Sequence, residues 1–489
     1  VGLTGPSLDD GSELAALERL APGAIVLFAR NVSSLDGTRA LVTLARAACG
    51  GANPALVCVD QEGGRVARLR FGEPLPSMST LGATGDAGLA ERAGAALAFE
   101  LRRIGASVDF APVLDLALAA ESTVIGTRSL GADPPSVARL GAALVRGLQA
   151  GGVTATPKHF PGHGATAADS HVDLPVVAAN IETLRRRELV PFAAAFAAGA
   201  AAVMTAHVVV EAVDADRPAT LSPAVLTDLL RGELGFRGVC FTDDLQMNAI
   251  SRGAGTARGA VLALAAGADA LLVSHSLETA FAARDAIATA IRAGEVPLSR
   301  LEEAAARVAA LRAAHATAPG HEDAREDAGL GVEIARRGLQ RVRGDGHLDR
   351  ARPVTVVSFE GVAGDGIAAG VARPSLSLAL RRRRLKSESM RVALEPDAAM
   401  VETLVDVVRA QGARDVVVLA RRAHAHPAQR HAIEALLEVA PAAIVASTLE
   451  AFDVPCFTRA RTVLATHGDE EPNLEALADA LLDPSTRLT

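Results

Sequence analysis

The chain has 489 residues, of which 49% are hydrophobic and 22% charged, and its formal net charge is −8. That is a globular composition, long enough for two domains, and its acidic balance argues against a nucleic-acid binder, which carries a basic surface. No apolar run approaches the ~18 residues of a membrane-spanning helix. Cys49, Cys58, Cys240 and Cys456 form no CxxC pair, so nothing implies disulfides or zinc. The chain starts at Val1, and the expected address is cytoplasmic, with a removed leader or a secreted form left open.

Short apolar runs alternate with Ala/Leu/Arg-rich helical stretches up to about residue 315. The runs lie at 24–28, 55–59, 107–110, 153–156, 201–204, 238–241 and 270–273. Each is too short for a helix and rich in β-branched residues, as buried parallel strands are. Helical periodicity fills 36–48, 89–104, 136–150, 181–198 and 223–234. Gly105, Gly151, Gly199, Gly235 and Gly267 stand where helices close before the next strand. Repeated βα units over this length predict a (β/α)8 TIM-type barrel at 1–318, with a doubly wound open sheet as runner-up. Residues 319–350 are polar and Gly-rich around one helical stretch and read as a linker. A smaller C-terminal α/β/α domain follows at 351–489, with strands at 354–359, 415–419, 442–446 and 462–465. The basic run Arg381–Arg384 with Lys386 reads as a solvated face or a subunit contact.

Polar residues follow the strands in register. Asp60 opens DQEGGRV, Lys158 and His159 open KHFPGHG, His207 closes MTAH, and Asp243 and Asp244 close FTDD. The carboxyl ends of barrel strands are where such enzymes keep their chemistry. Residues 158–171 hold three His, one Lys and one Asp, too dense for an ordinary solvated loop. One reading is a metal site of His159, His163, His171 and Asp169, but the spacing lacks an HExxH pairing and no metal is expected. The other makes Lys158 and His159 hydroxyl-binding groups and Asp169 with His171 a proton-transfer pair, in which Asp orients His and raises its basicity. Of the adjacent acids, Asp243 is assigned to catalysis and Asp244 to capping a helix near Leu245. Arg128 in VIGTRSL and Arg65 beside a Gly pair complete the candidates.

The stretches GAIVLFARN, VDQEGGRVARL, APVLDL, VIGTRSL, KHFPGHG with DSH, MTAHV, GFRGVCFTDDLQM and AGADALLV occur in this order over the first 300 residues. Together they resemble glycoside hydrolase family 3, and within it the β-N-acetylglucosaminidase branch, for which KHFPGHG plus DSH is specific. The resemblance implies a retaining double displacement through a covalent glycosyl-enzyme, without a cofactor. It makes Asp243 the nucleophile and His171, partnered by Asp169, the acid/base. Asp60, Arg128, Lys158 and His159 would bind the non-reducing sugar, with His207 in support. A histidine acid departs from the usual pair of carboxylates, and it would not repel phosphate as an anionic acid would. Hydrolysis of muropeptides or chitooligosaccharides is therefore the leading expectation. A phosphorylase, a β-glucosidase of the same family and an inactive sugar-binding protein are the alternatives. Peptidoglycan recycling in the cell wall is the implied setting.

Overall fold

The structure is a computed structural model and describes residues 1–8, 11–50, 54–120, 122–166, 174–316, 326–360 and 374–483. Strands Ala24–Leu27, Leu56–Val59, Val108–Asp109 and Thr154–Ala155 run parallel in that spatial order. Phe160 then bridges to Thr205, which joins them to the parallel pair Ala202–Met204 and Val239–Phe241. The run at 270–273, expected as a strand, pairs only by a bridge from Ala270 to Phe241. Beyond it, the Thr242 side chain accepts the Leu272 N–H at 3.0 Å and takes over the ladder. Gly2 bridges to Val26 and approaches Ser274 so closely that a Cβ would stand 2.1 Å from its carbonyl oxygen, so residues 1–3 take the first of eight positions, counted in chain order, and the ring closes. Alternate side chains fill its interior: Val26, Cys58, Val108, Phe110, Met204, Phe241 and Leu272 form one buried cluster. The other alternate set faces the surrounding helices, which is the double burial that makes parallel strands apolar throughout.

The helices follow the sequence pattern with two instructive differences. The stretch expected as one helix at 181–198 is two, Ile181–Arg186 and Leu189–Ala197. Pro191 has no N–H and its ring would meet the carbonyl four residues earlier, so a continuous helix cannot pass through it. Gly105, Gly199, Gly235 and Gly267 do adopt positive φ at helix ends, but Gly151 has φ −74° and Gly152 takes the left-handed turn at +80°. Gly151 is instead a close approach: a Cβ there would lie 2.4 Å from the Ala98 Cβ.

The C-terminal unit is a six-stranded sheet among the described residues. Its order is Gln340–Arg343, Thr462–Ala465, Ile444–Ser447, Asp415–Ala420, Val354–Glu360, Ser387–Ala393. All pairs are parallel except the first, and separate buried clusters on the two faces make three layers. Inside the stretch read as a linker, Leu330–Gly338 is a helix that buries Leu330, Ile334 and Ala335, and Gln340–Arg343 is the sheet's antiparallel edge. The basic run is a solvated face with partners of its own: Arg382 pairs with Glu471 at 2.7 Å and Arg383 with Asp479 at 2.6 Å. No described helix is long and apolar enough to cross a membrane.

Candidate active site

The chain leaves the barrel strands into one pocket of about 180 Å³. Its floor is the top of the barrel interior, Val26, Phe110, Met204 and Leu272. Asp60, Glu62, Arg128, Lys158 and His159 line it over the third to fifth positions of the ring. Asp243, Asp244, Met247 and His275 line it over the seventh and eighth, across the barrel axis.

The first wall is a buried charge cluster. Asp60 and Glu62 are two residues apart in extended chain, so their side chains share a face, while Gln61 turns away to bond Leu69 and Glu100. Lys158 Nζ lies 2.7 Å from Asp60 Oδ1 and 2.7 Å from Glu62 Oε1. Arg128 Nε and Nη2 donate to the two Glu62 oxygens at 2.8 and 2.7 Å, the bidentate fork that guanidinium and carboxylate geometry favours. Burial pushes the Asp60 carboxyl up, but Lys158 and Arg68 outweigh it and leave it below the usual range. Burial likewise opposes ionisation of Glu62, yet Arg128 and Lys158 bring it down to about 2. The Lys158 ammonium is lowered by burial but raised on balance by Asp60 and Glu62. All four groups are thus held charged.

Glu62 gives this cluster a pH signature. A carboxyl depressed from 4.5 in the unfolded chain to about 2 when folded stabilises the protein fully above pH 4.5, and the stabilisation fades as pH falls toward 2. Glu62→Gln should therefore melt well below the parent at pH 7, with the gap narrowing steadily below pH 4.5. A gap that stayed constant in calorimetric scans from pH 7 to pH 2.5 would contradict this assignment.

Beside the cluster, Asp115 organises the histidine segment. Its Oδ2 accepts from His159 Nδ1 at 2.6 Å and its Oδ1 from the His163 N–H at 2.6 Å. Its side chain is fully buried. Burial raises the Asp115 carboxyl, but His159 and His163 outweigh it and hold it below its ordinary value. The bond to Asp115 fixes the proton on His159 Nδ1 and leaves Nε2 on the pocket side. Gly164 lets this segment lie directly on the preceding loop, since a Cβ there would be 1.8 Å from the Leu116 carbonyl oxygen.

Across the barrel axis, Asp243 and Asp244 both line the pocket. Strict alternation would have sent them apart, but the strand ends at Phe241 and the chain turns, with the Met247 N–H bonding the Asp244 carbonyl at 3.0 Å. Asp244 is not the helix cap expected for it. The next helix is Asn248–Ser251, preceded by Met247, and Asp244 accepts the Gln246 N–H at 3.0 Å and faces His275 at 3.2 Å. Burial raises the Asp244 carboxyl. Burial also acts against Asp243, but His207, His159, the Asp244 N–H and Lys158 overcome it and hold Asp243 below the ordinary range. Two adjacent acids are thereby driven in opposite directions. His207, expected in support of sugar binding, lies beneath this turn. It is 1% exposed, with Nδ1 on Thr220 Oγ1 at 2.7 Å and Nε2 on the Asp244 carbonyl at 3.0 Å.

Of the residues singled out in the sequence, Asp60, Arg128, Lys158, His159 and Asp243 thus line one pocket. Asp169 and His171 lie outside the described residues. Arg65 acts on Glu470 of the C-terminal unit: burial and the neighbouring Asp469 push that carboxyl up to about 7, against a smaller lowering by the Arg65 charge. Among the described residues no group of three His, Cys, Asp or Glu could hold a metal ion. Sequence reasoning missed Glu62, Arg68, Asp115 and His275. Glu62 was open to discovery, because it stands two residues from Asp60 in an extended stretch.

Residues 10–311 match the family model described as the glycosyl hydrolase family 3 N-terminal domain. A β-hexosaminidase of Stenotrophomonas maltophilia is 45% identical over 277 residues, covering 54% of this chain and 81% of that protein. A β-hexosaminidase of Pseudomonas aeruginosa is 42% identical over 282 residues, covering 57% and 82%. A family 3 β-N-acetylglucosaminidase structure from Paenibacillus sp. str. FPU-7 superposes with a TM-score of 0.90 at 36% identity, covering 100% of this chain and 96% of that one. The barrel, the pocket at its carboxyl ends and these matches lead to one conclusion: the chain belongs to glycosyl hydrolase family 3, a family of glycoside-cleaving enzymes.

Proposed function

We propose that the protein is a retaining exo-β-N-acetylglucosaminidase in which Asp243 is the nucleophile. The observation that carries this reading is an ionised carboxylate, Asp243, across the pocket from a fixed set of charged hydroxyl-binding groups. The names and similarity of the relatives support the N-acetylhexosamine class of substrate. In the first step an Asp243 oxygen bonds to the anomeric carbon while the bond to the leaving oxygen breaks. The leaving oxygen takes a proton from His171, oriented by Asp169. In the second, His171 accepts a proton from water, the water oxygen bonds to the anomeric carbon, and Asp243 departs. Two inversions give retention.

Asp60, Arg128, Lys158 and His159 hold the sugar's hydroxyls, and His207 supports the turn that presents Asp243. The barrel to about residue 318 would be the catalytic domain, and the chain from about 351 a second domain, whose sheet takes its edge strand from Gln340–Arg343. The substrates are chitooligosaccharides or muropeptides. Incubation with a fluorinated N-acetylglucosaminyl fluoride, then peptide mass spectrometry, should find the sugar on the peptide containing Asp243. A sugar on another carboxylate would overturn the assignment. Running chitobiose and a muropeptide with and without phosphate would identify substrate and acceptor, since a phosphorylase releases a sugar 1-phosphate.

A further inference from the structure

Arg128 belongs to a loop whose ends meet where the Ala117 N–H bonds the Gly131 carbonyl at 2.9 Å. The inner end of this loop is tied to the pocket through the Arg128–Glu62 pair. Among the described residues its outer part touches the C-terminal unit at two points. His424 Nε2 lies 2.8 Å from the Ala120 carbonyl oxygen. Glu450 packs on Gly126, where a Cβ would stand 2.5 Å from Glu450 Oε1. Gly126 has φ +46° and opens the short 3-10 turn Gly126–Arg128, so the Glu450 contact falls on the turn that aims the arginine.

His424 is itself held rigidly. Its Nδ1 lies 2.7 Å from Asp453 Oδ1, and the same oxygen accepts the His424 backbone N–H at 2.9 Å. The Asp453 side chain is fully buried and that of His424 is 14% exposed. A carboxylate and a carbonyl are both acceptors, so the ring donates from both nitrogens while both contacts last. The ring is then an imidazolium and its bond to Ala120 is charge-assisted. Arg430 braces the same segment through the Ala423 and His424 carbonyls.

We propose that His424 is a positioning residue for the glycosidase reaction: through Ala120 it fixes the loop that presents Arg128 to the sugar. This rests on the reading of Arg128 as a sugar-binding group. It gives the C-terminal unit a part in substrate binding although none of its residues lines the described pocket.

The two amide side chains separate the contacts of the ring. Asn places its amide near the position of Nδ1 and falls short of Ala120, whereas Gln reaches the position of Nε2. In the full-length enzyme, His424→Asn should raise KM about fivefold to tenfold, a part of one lost charge-assisted hydrogen bond because the effect reaches the sugar only through the loop, with kcat within about twofold. His424→Gln should restore most of that KM. In an Arg128→Ala background His424→Asn should add less than a twofold change, because its effect passes through the arginine. Equal KM for parent, Asn and Gln variants would overturn the proposal. So would a His424→Asn effect undiminished in the Arg128→Ala background. A purely structural role would lower the melting temperature of both amide variants and leave KM alone. If Arg128→Ala itself leaves KM unchanged, the sugar-binding reading fails first, and this inference with it.

Discussion

Asp243→Ala should lower kcat/KM on an activated aryl N-acetylglucosaminide by about 10⁴-fold, the scale of losing a nucleophile that works with an acid/base partner. The neighbouring acid offers no substitute. Asp244 is raised by burial, accepts the Gln246 N–H and faces His275, so its oxygens are directed elsewhere. Fold stability should change little by comparison, because among the described residues the Asp243 side chain accepts a single hydrogen bond, from the adjacent Asp244 N–H at 2.8 Å. The vacated space should admit a small anion. Azide should then restore turnover of the alanine variant and give the α-glycosyl azide, the product of a single inversion. Activity within tenfold of the parent, or a β-azide, would remove Asp243 from the mechanism.

Lys158→Met should be the most destabilising single change in the pocket, by about 3 kcal/mol, because it takes the shared cation from buried Glu62 and half-buried Asp60. The ammonium is 2% exposed and lies 2.7 Å from both Asp60 and Glu62. Glu62 keeps the Arg128 fork, but Asp60 is left with Arg68 at 3.7 Å. Methionine fills much of the volume, so cavity formation contributes little. The deficit in denaturant unfolding should shrink as pH falls and the stranded carboxylates take up protons. Sugar binding should be lost in parallel, seen as a rise in KM larger than the fall in kcat. Unfolding within about 1 kcal/mol of the parent would show that the cluster rearranges around the missing charge.

The barrel was legible because every strand is buried on both faces, so its apolar runs stand out regardless of register. What stayed hidden were elements whose stability comes from position and not from their own pattern. Ser387–Ala393 is a polar edge strand with Glu388, Ser389 and Arg391 exposed, and nothing in SESMRVA announces it. Gln340–Arg343 likewise gains its strand character by pairing with Thr462–Ala465. In the site, residues at strand ends were readable from spacing, which is how Asp60, Lys158 and Asp243 were found. Asp115 and His275 were not, since each acts on partners remote in sequence. For His207, expected in a supporting role, the motif fixes where the chain passes, whereas the Thr220 hydroxyl and the Asp244 carbonyl decide which way the ring turns.

The sequence contains neither Trp nor Tyr, and among the described residues the aromatic lining of the pocket is Phe28 and Phe110. Phe110 is 2% exposed and packs edge-on against Phe241 in the barrel floor. The Arg30 guanidinium sits over the Phe28 ring, 4.4 Å from its centroid. A sugar ring entering here is met by charged hydrogen-bonding groups more than by a flat apolar platform. Its binding would be driven by heat and not by release of water, with only a small change in heat capacity. Recognition of that kind discriminates hydroxyl stereochemistry sharply, because an inverted hydroxyl leaves a buried charge without its partner.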